Sequence, residues 1–208
     1  MRFNELRIVL GSACVLAAAA LAGCGQAEGP PGTEAVGSAG VAADDAQARI
    51  ARGRDLIIGG GCHDCHTPKI LTPAGPEADM SRALSGHPES QVITALFAQP
   101  EGIPWTTHTN DHLTAWSGAW GVSFAANLTP DENTGLGIWT EQMFLDALKQ
   151  GKHMGAGRQI LPPMPWNYYG QLSDEKLRDM FAYLKSLPPI SNRVPVPLGP
   201  DGQPIEEP

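Results

Sequence analysis

The 208-residue chain is short of positive charge. It holds 14 Lys and Arg against 22 Asp and Glu, a formal net charge of −8. The basic residues never gather into a stripe, so the electrostatic footprint of a nucleic-acid binder is missing. Cysteine is scarce too, with four in the whole chain. No apolar run reaches the ~20 residues that cross a bilayer as a helix. Little strand-like alternation is visible. What the chain has in excess is Gly and Pro, 24 and 19 residues, together about a fifth of the sequence against an average of roughly 12%. That excess predicts long irregular connections in one domain with tails.

The N-terminus reads as an address. Arg2 and Arg7 precede an apolar run, Ile8 to Ala22, broken only by Gly11 and Ser12. This suits a secretory signal peptide over residues 1–23. The run ends in Leu21-Ala22-Gly23-Cys24, which resembles a bacterial lipobox. The resemblance implies a lipid-anchored Cys24 and a place on the periplasmic side of the bacterial cell envelope. More than one acyl chain makes such an anchor stable. Residues 24–43 then read as the anchor and a flexible linker, because Gly29-Pro30-Pro31-Gly32 and Gly37-Ser38-Ala39-Gly40 leave no apolar period. At the other end, residues 188–208 carry seven prolines and predict an extended tail that either wraps the domain or dangles. The domain proper is 44–187.

With Cys14 in the signal and Cys24 at the anchor, only Cys62 and Cys65 remain. They stand in Cys62-His63-Asp64-Cys65-His66, the C-x-x-C-H pattern of c-type haem attachment. Two thiols a turn apart can add to the two vinyl groups of one haem, and the adjacent His66 can give its imidazole to the iron. A thioredoxin-like reading wants a βαβ context, and a zinc reading wants a second ligand pair; neither is visible. One motif predicts one covalent haem.

The flanks agree. Asp44 or Asp45 can cap a helix running to about Gly59, with Ile50, Gly53 and Ile57 on one face. Ser173 can cap a helix whose stripe is Leu177, Met180, Phe181, Leu184 and Leu187, stopped by Pro188-Pro189. Thr140 can cap a short helix ending near Gly151, with Trp139 and Phe144 as a hydrophobic staple. Another helix is expected from Pro88 to Ala98.

Residues 45–187 resemble a class I c-type cytochrome, of the kind found as membrane-associated bacterial cytochromes c. The likeness rests on Gly53 in the first helix, the Cys62–His66 motif, Ile160-Leu161-Pro162-Pro163-Met164-Pro165-Trp166, the stretch Trp120–Asp131, and Met180-Phe181-Ala182-Tyr183-Leu184-Lys185. It implies an all-α, cytochrome c-like fold of about four or five short helices around one haem with long loops. It also implies that Gly53 meets Phe181 or Tyr183 where the first and last helices cross. The segment between His66 and Thr140 is enlarged relative to small members of that family.

His66 is the expected proximal ligand. Three prolines stiffen the loop around Met164, which makes Met164 the expected distal ligand and Met154 the runner-up. A histidine (His153, His108 or His112) or an open site are the remaining arrangements. Arg158, Trp120 and Trp166 are candidates for contact with the haem edge or propionates, and Pro104-Trp105 and Trp116 crowd the same loop-rich stretch. Packing under the loops explains the tryptophans equally well. His63 and His87 read as solvated surface residues, and Asn127–Asn133 as a turn without calcium-loop spacing.

A haem with both axial positions filled passes electrons and does not turn over substrate. The expectation is therefore a non-catalytic electron carrier or cytochrome subunit, exchanging electrons with a dehydrogenase, an oxidase or another cytochrome. A haem enzyme or gas-sensing module with an exchangeable sixth ligand is the alternative, and an accessory protein with structural haem is a third reading.

Overall fold

A computed structural model describes residues 34–94, 96–98, 102 and 106–208. The signal, Cys24 and Trp105 lie outside these residues. Five helices follow in chain order: α1 Glu34–Gly59, α2 Cys62–His66, α3 Glu141–Gln150, α4 Trp166–Tyr169 and α5 Asp174–Ser186. Between α2 and α3 lie two small antiparallel sheets. One is the hairpin of β1 (Lys69–Thr72) and β2 (Gly75–Ala78); the other orders β3 (His108–Thr109), β4 (Ala115–Gly118) and β5 (Gly121–Phe124) in sequence. The architecture is thus not all-α as expected: the enlarged segment after His66 brings its own strands. Among the described residues, no helix is long and apolar enough to cross a membrane.

The helices form as their sequences dictate. Thr140 Oγ1 accepts from Met143 N, and Gly151 ends α3 at φ 69°, a left-handed position that glycine takes without penalty. Ser173 accepts from Lys176 N at the head of α5. Leu177, Met180, Phe181 and Leu184 are buried and join Ile57, Leu136, Phe144, Leu145 and Leu148 in one core, with Trp139 packed beside it. Phe144 and Phe181 stack with centroids 5.3 Å apart.

The crossing of α1 and α5 is the tightest contact in the fold. A Cβ placed on Gly53 would lie 1.9 Å from Asp179 O and 2.9 Å from Tyr183 Cβ, so only glycine lets the two backbones meet. Asp179 is buried there and accepts from Arg52 (2.6 and 3.2 Å) and Arg49 (3.4 Å). A buried carboxylate needs such partners.

Three expectations give way. First, α1 begins at Glu34, inside the stretch read as a flexible linker; Ala35, Ala39, Ala42 and Ala43 favour helix more than Gly37 and Gly40 oppose it. Second, the helix expected from Pro88 to Ala98 does not form among the described residues of that stretch. The chain makes one turn, Gln91 N to Pro88 O, and its backbone is then held by His87 and Asn192. Third, His87 is not solvated but fully buried. Its ring bonds Thr114 Oγ1 (3.0 Å) and Gln91 O (2.8 Å) and lies against Phe124.

The proline-rich tail wraps the domain. Leu198 exchanges two backbone hydrogen bonds of 2.9 Å with Val122 of β5. Asn192 is buried and donates to Ser85 O (2.7 Å) and His87 O (2.8 Å), while accepting from Glu89 N (2.9 Å). The turn at 127–134 receives the tail too, through Asn127 Nδ2 to Ile190 O and Ile190 N to Thr129 Oγ1.

Candidate haem site

The Cys62–His66 motif is itself the short helix α2, entered through Gly61 at φ 68°. One helical turn puts Cys62 and Cys65 on neighbouring positions of one face. Both are free thiols, half-buried. Burial pushes the Cys62 thiol up to about 11 and raises Cys65 likewise. Tyr169 closes over Cys62, hydrogen-bonding Gly60 O, and burial raises its phenol to about 12.

His66 is 8% exposed. Its Nδ1 lies 2.8 Å from Ala126 O. A carbonyl can only accept, so Nδ1 carries the proton and Nε2 keeps a free lone pair. Burial holds the ring's pKa below the usual range for histidine, favouring this neutral form.

His66 and Cys65 line a cavity of about 470 Å³ whose other walls include Met154, Met164, Arg158, Phe144, Leu148, Phe124, Trp116 and the tail. Met164 and Met154 therefore both face the space in front of His66. Met164 comes in the cis-linked Pro162-Pro163 loop, which β5 grips through Ser123 Oγ to Pro162 O at 2.5 Å. Met154 sits at φ 52° in a tight turn, inside a loop closed by His153 N to Arg158 O and Ile160 N to Gly151 O.

Arg158 is on the cavity wall, its Nε 3.2 Å from Glu207 Oε1. The same Glu207 oxygen is 2.7 Å from His153 Nδ1, within ion-pair distance though off the hydrogen-bond angle. His153 also stands edge-on to Trp139. His112 bonds the Lys69 carbonyl, and His108 stacks on Phe97 away from the cavity lining. Trp120 and Trp166 do not line the cavity: Trp120 bonds Ser123 Oγ, and Trp166 packs into the core beside Gly151.

One residue was missed by sequence reasoning, and one was not singled out. Lys69 is buried, and its Nζ donates to His63 O, Asp64 O and Thr67 O at 3.0, 2.9 and 2.6 Å. It thereby satisfies carbonyls at the end of α2. A lysine three residues past the motif was the available signal. Trp116 was seen only as one of a crowd; its buried Nε1 finds no partner among the described residues, on the wall of the cavity.

No protein-family model matches the chain. It is 26% identical over 148 residues to one subunit of the nicotinate dehydrogenase of Pseudomonas putida, covering 71% of this chain and 9% of that protein. It is 34% identical over 70 residues to the fructose dehydrogenase cytochrome subunit of Gluconobacter japonicus, and 35% over 63 residues to the cytochrome c subunit of the quinone alcohol dehydrogenase of Gluconobacter oxydans. Those matches cover 34% and 30% of this chain, and 14% and 13% of the relatives. The chain is similar to cytochrome c subunits of dehydrogenases. The likeness supports a c-type cytochrome, although the chain spans only a small fraction of each relative.

The residues present fit a haem. The Cys65 thiol and a neutral imidazole line a largely apolar cavity, with Cys62 one helical turn from Cys65; two thioethers line it too, and a buried indole N–H on its wall has no acceptor among the described residues.

Proposed function

We propose that this chain carries one electron at a time on a single haem, bonded covalently to Cys62 and Cys65, with His66 as proximal and Met164 as distal ligand. The observation that carries the reading is His66: its Nδ1 is committed to Ala126 O, and the ring lines a cavity shared with Cys65 and Met164. The bound group supplies a ferric/ferrous couple. The protein's part is to orient and to exclude water. Ala126 O fixes the imidazole's tautomer. Ser123 and the prolines hold the Met164 loop against β5, and a soft thioether there favours the ferrous state. Phe144, Leu148 and Phe124 keep the surroundings apolar. Lys69 stiffens the helix that bears the thiols. If His66 and Met164 both held the iron, no position would be left there for a substrate, and the chain would act as an electron carrier and not itself as a catalyst.

Similarity to cytochrome subunits supports a dehydrogenase as electron donor. The apolar run before Cys24 supports export and a lipid anchor at the bacterial cell envelope, facing the periplasm. A tether raises effective concentration near membrane partners, and the acidic balance suits a partner with a basic docking patch.

The test is the absorption spectrum of the purified full chain, oxidised and reduced, with and without carbon monoxide. The expected result is a low-spin c-type spectrum, a weak sulfur-to-iron band when oxidised, and no response to carbon monoxide. Met164→Ala abolishes that band and Met154→Ala keeps it; the reverse pattern assigns Met154. Ready carbon monoxide binding by the unaltered chain overturns the carrier reading in favour of an exchangeable site. Cys24→Ser is expected to release the chain from the membrane fraction.

A further inference from the structure

We propose that residues 193–207 are a strap closing one side of the haem cavity, with Glu207 as its latch, and that this strap limits how readily small redox agents, whatever their charge, reach the haem. The inference rests on the haem reading above and adds an access control to it. The strap is held at both ends. Asn192 is buried at its start, and Leu198 pairs with Val122 at its middle. Its far end returns over the cavity, where Val194, Pro197 and Ile205 add apolar lining. The return is tight: Gly199 N–H donates to Gln203 O at 2.7 Å, and Ile205 N–H donates to Pro197 O at 2.8 Å, so the tail doubles back on itself.

Glu207 fastens the end. Its Oε1 lies 3.2 Å from Arg158 Nε and 2.7 Å from His153 Nδ1, and its Oε2 accepts from Arg158 N at 2.9 Å. Three contacts thus join the last turn of the strap to the loop that carries Met154. The anchors at Asn192 and Leu198 are independent of this latch, so releasing Glu207 opens one side and leaves the fold in place. A chain end held through one half-exposed carboxylate opens more cheaply than an element packed into the core.

The test compares the full chain with Glu207→Gln and with a chain ending after Gly202, which keeps Leu198. Hydrogen–deuterium exchange follows the amides of Arg158 and of residues 193–202, which all three chains share. Stopped flow follows reduction of the ferric protein by hexaammineruthenium(II), a cation, and by iron(II)-EDTA, an anion; each metal complex gives up one electron and the haem takes one. The expected result is faster amide exchange and a several-fold faster reduction by both reagents, larger in the truncated chain. Opposite changes for the cation and the anion mean that only charge was altered, and overturn the strap. Unchanged rates in both variants overturn it as well. A purified chain without covalent haem overturns the haem reading, and this inference falls with it; a chain with haem but unaltered access overturns the strap alone.

Discussion

Leu177, Met180, Phe181 and Leu184 hold α5 to α1 and α3 by apolar contact. Residues 85–91, 114, 127–134 and 190–193 are held by polar atoms instead: Asn192, Asn127 and Thr129 bond the backbones of segments far apart in the chain, and His87 bonds the Thr114 side chain and Gln91 O. The first region is a periodic stripe with caps. The second is a set of loops, each tied by a buried side chain to another loop. The site lies between them. Cys62, Cys65 and His66 come from the helical side; Ala126, Ser123 and the tail come from the other. On the proposed function, haem attachment would be a property of one region, and orientation and enclosure properties of its neighbour.

The largest expected effect separates those two roles. Replacing both Cys62 and Cys65 by Ser abolishes covalent haem, read as loss of haem staining on a denaturing gel. Trp116→Phe removes an indole N–H from the cavity wall and is expected to keep the covalent haem and alter its spectrum or potential. If the double serine variant still carries covalent haem, the division of labour is wrong.

Next comes the helical crossing. Gly53→Ala puts a methyl group onto Asp179 O, and overpacking of this severity costs about 3 kcal/mol. Thermal unfolding watched by circular dichroism is the measurement. A loss below about 1 kcal/mol means that the helices separate easily and that the crossing is not the rigid part.

The helical region was legible because its signals are local. A cap, a stripe and a stop sit within one stretch, and Gly53, Thr140 and Ser173 were each readable with their neighbours. The C-x-x-C-H motif was legible for the same reason. The sheets were not, since strands of two to four residues give too little alternation to read. Nor was the tail's course, because Leu198–Val122 and Asn192–Ser85 join residues more than 70 positions apart. His87 looked like a surface histidine, as nothing near it announces Thr114 and Phe124. Trp116 was one tryptophan among several, and only the fold shows which indole N–H faces the cavity.

The polar region should yield less per residue but more diffusely. Asn192→Ala leaves Ser85 O, His87 O and Glu89 N without their partner. Stranding buried backbone groups costs about 2 kcal/mol. Asn192→Asp restores the acceptor but not the two donors, so it recovers only part of the loss. Chemical denaturation compares them. Equal stability for all three chains shows that water replaces the side chain and that the tail is not anchored there.

The smallest effect is the share of the pH dependence that this same region contributes. Burial lowers the pKa of His87 from its ordinary value near 6.5, with His112 pushing the same way and the bond to Gln91 O opposing. The unfolded chain therefore takes up a proton at a higher pH than the folded one. Above about pH 6.5 neither form is charged and His87 makes stability insensitive to pH. Below it the unfolded state binds the extra proton, and stability falls until the folded pKa is passed, by at most about 1.4 kcal/mol per pH unit. His87→Gln can keep a donor or acceptor toward Thr114 Oγ1 while removing the titration. Its unfolding free energy, measured from pH 7 down to pH 5, is expected to show a shallower acid slope than that of the unaltered chain, though its value at pH 7 is lower. Identical slopes would mean that the imidazole ionises in place, with water reaching it through the loops, and that the polar half is far looser than the helical half beside it.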